Sequence, residues 1–442
     1  MKTLLRGCML KKIFYKIYFS IPHRIRSREF YKFKKILEKN SDLSKEKVIE
    51  YQINKFKEIL NIAYYYTDFY RQKYDEVGFH PSMFKTMEDL KKIPILERYE
   101  LRDNLERMKN KNFNGKLRKS FTSGSTGTPT LIYTSSKGIQ RELASLSHQF
   151  DRIGFDYINS ARIEIRGKVE NDHLYDYIKE QKILRINILK INQNTIHQII
   201  EKIKSVGYEN IYGYPSAIFI FSELILKNKI SLNIKKIIFA SEILYDWQLE
   251  YIENVFPDAA KFCFYGMAER VCLAGWMKDD RKYYFLPSYG ITEFDDKNCI
   301  IGTSLINDVV PLIRYKTTDI AGEKIETKGS YFPVIKNIQG RLEDIVYDIK
   351  GNKIPPSSLT FIFKNLGNYI NKTKLIQNSF KEWSVYFETK YKNEKDKEIE
   401  LIIDSMKKMF GKEIIVKVIF SEELSSENNG KFKWVEQKIK RL

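Results

Sequence analysis

Between residues 162 and 255 the chain repeats one pattern, and that pattern limits its fold more than any other feature. Short runs at 162–165, 185–188, 210–212 and 237–240 are rich in isoleucine and read as strands. Residues 195–205, 215–226 and 245–255 read as helices. Strands and helices that alternate in this way bury both faces of a sheet, which predicts a layered α/β domain. Binding sites in such a domain are expected at strand ends. At 442 residues the chain is long enough for two or three domains of this size.

Upstream lies Phe121-Thr122-Ser123-Gly124-Ser125-Thr126-Gly127-Thr128-Pro129-Thr130, followed by the strand-like Leu131-Ile132-Tyr133. Glycines let backbone N–H groups meet a ligand without a Cβ in the way. Hydroxyls and bare amides together suit phosphate oxygens. Taken alone, such a cluster more often marks a plain turn. It is not a Walker loop, because no Gly-Lys-Ser/Thr follows at the required spacing.

Composition narrows the class. With 43% hydrophobic and 30% charged residues, the chain is globular rather than disordered. Cys8, Cys263, Cys272 and Cys299 lack metal-ligand spacing and read as reduced cytosolic thiols, and with only five scattered histidines no zinc site is expected. Of the net charge of +20, half lies in the first forty residues, which carry twelve Lys/Arg against Glu29 and Glu38. Leu5, Met9, Ile13 and Ile17 recur at four-residue steps there, with Lys12 and Lys16 beside them. That pattern reads as a helix packed on the domain or as an amphipathic helix on an anionic membrane. No uncharged run reaches the roughly 18 residues needed to span a bilayer. The expected location is cytoplasmic, with peripheral contact at the inner membrane face left open. Nucleic acid is the weaker partner, since no base-contacting motif interleaved with aromatics is evident. Oligomeric state is not fixed by the sequence.

Five motifs follow one another in order. They are the Ser/Thr/Gly loop, Tyr265-Gly266-Met267-Ala268-Glu269, Arg314-Tyr315 with Asp319, Gly340-Arg341-Leu342-Glu343-Asp344, and Gly430-Lys431. In this order they resemble the adenylate-forming superfamily of acyl-coenzyme A synthetases. The nearest branch resembles the phenylacetate–coenzyme A ligase-like proteins linked to capsular polysaccharide biosynthesis. The resemblance runs from about Leu60 to the end of the chain. It implies a large multi-layer N-terminal α/β domain and a small C-terminal α+β lid. The expected divisions are 1–105, a helical region of the large domain, 106–341, its ATP- and acyl-binding core, and 342–442, the lid.

The resemblance also assigns roles. Thr122, Ser123, Gly124, Ser125, Thr126, Gly127 and Thr128 would hold the ATP phosphates. Relatives often carry a lysine beside the loop's proline, where this chain has Thr128 and Thr130. Glu269 would be the magnesium ligand, against the alternative of a solvated helix N-terminus. Tyr265 with Gly266 would flank adenine, and Asp319 would accept from both ribose hydroxyls. Arg341 would contact ribose or phosphate, and the lid would rotate about Glu343. Lys431 would bridge the attacking carboxylate and the α-phosphate. Ser241 and Glu242 would lie along the adenine and acyl pocket. Tyr212-Gly213-Tyr214-Pro215-Ser216 resembles a family turn that either lines the acyl site or is structural. Ala268 stands where relatives place a hydroxyl on the α-phosphate. ATP and Mg2+ are implied, with a small carboxylate as substrate and coenzyme A or an amine as acceptor. Two further readings are an adenylyltransferase that places AMP on a hydroxyl and a basic nucleotide-binding scaffold without turnover.

Overall fold

The computed structural model describes residues 23–121, 130–166, 169, 173–339, 346–354, 358–359, 362–363, 370, 372–389, 397–424 and 434–439. The basic stretch 1–20, the loop residues Thr122 to Thr128, Arg341, Glu343 and Lys431 lie outside these residues.

Helix α1 (Arg28–Ser41) is followed by α2 (Lys45–Tyr66) and α3 (Asp68–Glu76). The N-terminal region, expected to be helical, is broken between α2 and α3. Thr67 leaves helical geometry and its hydroxyl accepts from Tyr70 N at 3.3 Å, which ends α2 and starts α3. Beyond α3 come two 3₁₀ turns, Pro81–Met83 and Met87–Lys92, and then α4 (Arg98–Asn104). Within the aromatic run 64–70, Tyr64, Phe69 and Tyr70 are buried core, joined by Tyr74, while Tyr65 and Tyr66 are exposed.

The strands β1 (Arg118–Phe121) and β2 (Leu131–Thr134) pair antiparallel across residues 122–129. Helix α5 (Ser136–Phe150) leads into the repeating region. That region comprises β3 (Arg162–Ile165), β4 (Tyr175–Ile178), β5 (Ile183–Ile186), α6 (Ile196–Val206), β6 (Asn210–Gly213), α7 (Pro215–Lys227), β7 (Lys236–Phe239) and α8 (Asp246–Val255). It closes with β8 (Ala260–Gly266), β9 (Leu273–Met277) and β10 (Asp280–Phe285). The strand expected at 185–188 ends at Ile186. The Asn187 side chain accepts from Leu189 N at 3.2 Å and turns the chain.

A second sheet takes β11 (Gly290–Phe294), β12 (Cys299–Ser304) and β13 (Tyr315–Ala321), while β14 (Lys324–Ile325) and β15 (Val334–Ile335) return to the edge of the first and β16 (Ile338–Gln339) joins the second. The large sheet runs β14-β15-β10-β9-β8-β7-β6-β3-β5-β4. Its central pairs, β5–β3, β3–β6, β6–β7 and β7–β8, are parallel. Ile163, Ile165, Ile237, Ile238 and Phe239 are fully buried, as helix-covered parallel strands require.

Toward the C-terminus, β17 (Val346–Tyr347) and β18 (Lys353–Ile354) form a small hairpin. Beyond it, β19 (Lys372–Gln377), β20 (Glu382–Glu388), α9 (Lys397–Phe410), β21 (Ile415–Ser421) and β22 (Val435–Gln437) form an α+β unit with strand order β21-β20-β19-β22. Its own core centres on Trp383, stacked on Phe410 with ring centroids 4.0 Å apart. The two regions touch where Lys353 pairs with Glu223 of α7 and lies 5.5 Å over the Phe219 ring. None of the helices among the described residues is long and apolar enough to cross a membrane.

Helix α5 also carries a pH-sensitive group. The His148 ring shares a 2.7 Å hydrogen bond with the Tyr331 hydroxyl, and burial, with Arg152 and Lys34 nearby, pushes its pKa down to about 4. Above the ordinary value of about 6.5 the imidazole is neutral both folded and unfolded, so it adds no pH dependence. Below that value the unfolded chain takes a proton that the folded chain refuses, and stability is lost as pH falls toward 4. The total loss is about 3 kcal/mol at 1.36 kcal/mol per unit. In urea titrations at pH 7 and pH 4, His148→Gln is expected to lose that much less than the parent. An equal acid loss in both proteins would assign the effect to other groups.

Candidate active site

The site candidates converge at the end of β8. Gly266 pairs with Leu273 and Tyr265 with Ala274, so residues 267–272 form a tight connection between antiparallel strands. Glu269 therefore sits in a turn between strands, and the alternative of a helix N-terminus does not hold. It is 8% exposed. The Tyr315 hydroxyl donates to Glu269 Oε1 at 3.2 Å. Burial raises the Glu269 carboxyl above its ordinary range, Arg98 pulls it back down, and Asp319 adds to the rise.

Asp319 comes from the second sheet. The register between β12 and β13 shifts, from Ile301↔Lys316 to Cys299↔Ile320, so that a bulge spans Thr317 to Asp319. Bulges re-aim side chains. Here the Tyr265 hydroxyl donates to Asp319 Oδ2 at 2.7 Å. Burial, and then the Asp319 charge, push the Tyr265 phenol well above its ordinary value, so it stays a donor. Glu269 and Asp319 are thus two neighbouring carboxylates, each held by a tyrosine hydroxyl. A hard divalent ion bridging phosphates needs only one or two carboxylates and waters. The buried Glu269 fits that requirement, and Asp319 has the acceptor capacity for a diol.

Other residues place these groups. Arg314, with φ of +51°, lays its guanidinium on Glu293 at 3.0 Å and on the Ile93 carbonyl, so it anchors β13 to the N-terminal region. Leu96 bridges to Tyr315 beside it. Arg98, half-buried at the start of α4, lies near both Glu269 and Tyr315. Arg270 holds φ of +57°, where a side chain is strained. Its Nε donates to Glu142 of α5 at 2.7 Å and its Nη1 to Ser120 at 3.0 Å and to the Ala268 carbonyl at 2.9 Å. One guanidinium thus ties the Glu269 turn, α5 and the strand entering the Ser/Thr/Gly loop. The sequence reading missed Arg98 and Arg270. The adjacency of Arg270 to Glu269 was the only available signal, and nothing marked Arg98.

A second group lies at the ends of β6 and β7. Ser241 is exposed and holds φ of +67°. Glu242 Oε2 accepts from Ser216 N at 3.0 Å and from its hydroxyl at 2.5 Å, so the Ser241-Glu242 segment is fixed to the start of α7. The Tyr212–Ser216 turn is therefore structural at Ser216, while Tyr214 faces the same strand ends as Glu242. Among the described residues, no three His, Cys, Asp or Glu side chains group as a metal site.

Comparison with known proteins places this arrangement. A family model described as the CapK C-terminal domain matches residues 346–438. The protein CapK of Staphylococcus aureus is 23% identical over 410 residues, covering 89% of this chain and 90% of that protein. Indoleacetate–lysine synthetase of Pseudomonas savastanoi is 26% identical over 157 residues, 35% of this chain and 38% of that protein. Among solved structures, 2-hydroxyisobutyryl-CoA ligase with 2-HIB-AMP and CoA in the thioesterification state has a TM-score of 0.58 at 14% identity, covering 91% of this chain and 92% of that one. The same ligase in the postadenylation state, with R3-HIB-AMP, has a TM-score of 0.57, also at 14% identity, over 90% and 91%. The chain has the fold of the adenylate-forming ligases, a large N-terminal domain with a small C-terminal one. The resemblance to that superfamily and to its capsule-linked branch is borne out.

Proposed function

We propose, from a chain with the adenylate-forming fold and a CapK-like C-terminal segment, that the protein is an ATP-dependent ligase. It activates a carboxylate as acyl-AMP and passes the acyl group to coenzyme A or an amine. In the first step a carboxylate oxygen bonds to the α-phosphorus of ATP, and the bond from that phosphorus to the bridging oxygen breaks as pyrophosphate leaves. In the second step the acceptor sulfur or nitrogen bonds to the acyl carbon, AMP leaves with its oxygen, and the acceptor loses a proton. The observation that carries this reading is the pair Glu269–Tyr315 and Tyr265–Asp319, assembled from two sheets into one site.

Asp319 binds the ribose and Tyr265 holds it in place while flanking adenine. Glu269 would hold Mg2+, and the ion would supply counter-charge to the polyphosphate. Residues 122–128 bind the β- and γ-phosphates, and Lys431 reaches the attacking carboxylate from the C-terminal domain. Arg341 contacts ribose or phosphate near a domain boundary at 341–342. An amine acceptor is favoured in part by the name of the synthetase relative, which joins indoleacetate to lysine. A cytoplasmic location follows from the use of ATP, and a product for surface polysaccharide from the capsule-linked resemblance.

The test is pyrophosphate release from ATP and Mg2+ across a panel of carboxylic acids, with and without coenzyme A. Release that depends on one acid, and that falls at least about 100-fold in Lys431→Ala, is expected from loss of transition-state charge stabilisation. ATP binding without release for any acid would sink the ligase reading and favour the hydroxyl-adenylylating or scaffold readings.

A further inference from the structure

The carboxyl edge of the parallel sheet carries a cation that the adenylation chemistry does not use. The register Ile165↔Gly213↔Phe239 runs across β3, β6 and β7. It continues one residue further, where Tyr214 N donates to the Ile165 carbonyl at 3.1 Å and Ala240 N to the Gly213 carbonyl at 3.0 Å. Arg166, Tyr214 and Ala240 therefore stand side by side just past three strand ends. Glu242, fixed to Ser216, follows immediately. This is where a layered parallel sheet binds its ligands.

Charge around Arg166 is unbalanced. Arg162, Glu164 and Arg166 alternate along β3 and share one face. Glu164 Oε1 accepts from Arg162 Nε at 3.1 Å, and its Oε2 accepts from Arg185 Nε and Nη2 at 3.0 and 2.8 Å. Both carboxylate oxygens are thereby engaged. Arg166 instead donates to the Tyr212 hydroxyl at 2.9 Å and lies 4.7 Å from the centroid of that ring, with Tyr157 and Tyr214 nearby. Its half-buried guanidinium is held in a tyrosine cage, and among the described residues the one carboxylate acting on it, Glu164, is already shared with Arg162 and Arg185, so three guanidinium groups divide one negative charge. A planar fork of donors held this way suits an anionic oxygen pair.

Position along the edge says which part of a ligand would meet it. From β8, where the nucleotide residues lie, to β3 is three strand spacings of about 4.8 Å, roughly 14 Å in all. That is too far for the reacting carboxylate at the α-phosphate and about right for the distal end of an acyl chain a few carbons long. We propose that Arg166 binds a second anionic group on the acyl substrate. The protein then activates an acid that carries a further carboxylate or a phosphate at its far end. This proposal rests on the ligase reading above.

The test is pyrophosphate exchange by the full chain with three sets of acids: α,ω-dicarboxylates of three to six carbons, phosphorylated carboxylates, and the matching uncharged monocarboxylates. An acid from one of the first two sets is expected to drive exchange best, and which set does so identifies the anion. In Arg166→Gln the apparent KM for that acid should rise roughly 10- to 100-fold, as for loss of a charge-assisted hydrogen bond. KM for ATP should stay the same, and the matching monocarboxylate should be turned over as before. Arg166→Lys should recover part of the loss. Preference of the parent for uncharged acids would overturn the proposal. So would a variant that loses activity with every acid alike, because that marks Arg166 as a structural brace for β3 and β6. Exchange with no acid at all would overturn the ligase reading, and this proposal with it.

Discussion

Asp319→Ala is expected to abolish measurable adenylation while leaving the fold intact. The substitution removes the acceptor for the Tyr265 hydroxyl, 2.7 Å away, and with it the proposed acceptor for the ribose diol. Leaving a buried hydroxyl unpaired costs about 1–3 kcal/mol, and each charge-assisted bond to a ligand is worth about 1.5–3 kcal/mol. The hydroxyl's cost falls on stability, while loss of two such bonds to the ribose diol predicts a fall in ATP affinity of about 100-fold or more, read by isothermal titration with ATP and Mg2+. Asp319→Asn keeps an acceptor and loses the charge, so it should fall between. Tyr265→Phe should weaken ATP binding far less than Asp319→Ala, because it leaves the carboxylate free for the ribose. If Asp319→Ala bound ATP as the parent does, the nucleotide would have to sit elsewhere on the sheet.

Arg270→Ala is expected to cost about 3 kcal/mol of stability and to cut activity as well. The Arg270 and Glu142 side chains are only 11% and 22% exposed, and breaking an enclosed pair leaves a carboxylate without its partner. The same change frees Ser120, one residue before the end of the strand that enters the Ser/Thr/Gly loop. Arg270→Gly loses the same contacts but relieves the positive-φ backbone, worth about 1–2 kcal/mol. It should therefore be more stable than Arg270→Ala by about 1 kcal/mol in urea unfolding. The reverse order would show that the positive φ at residue 270 carries no strain that glycine relieves. Arg270→Lys keeps the charge without the fork and should lose the Ser120 or the Ala268 contact, with activity falling more than stability.

How far the sequence reveals this molecule depends on how local the information is. The parallel strands and their helices were legible because each carries its own periodicity. Arg162–Ile165 matches the expected strand, and the helices at 196–206, 215–227 and 246–255 lie within one residue of expectation at each end. The small strands β14 to β16 were not, because two residues cannot show a period. Glu269 and Asp319 could be named from motifs, yet their contact with Tyr315 and Tyr265 depends on a bulge and a turn that no pattern encodes. Arg314 could be read only as part of the motif that points to Asp319, and its anchoring of Ile93 and Glu293 is seen only in the fold. Arg98, Arg166 and Arg270 were illegible for one reason: a basic side chain reads the same on a surface as in a site, and only the third dimension shows what faces it.

The single bridge between Leu96 and Tyr315 has a consequence for how the protein is made. The two residues are 219 positions apart, the difference between their sequence numbers. At about 5–20 residues per second, a ribosome needs roughly 10 to 40 s to travel between them. Over that interval the N-terminal region has emerged without its docking strand, while the parallel layer, whose partners lie near in sequence, can already close. Contacts of such high sequence separation form late. The proposed nucleotide site, which needs β13, is therefore completed only after the parallel strands have emerged, and the nascent chain passes through a stage with those strands paired and no working centre.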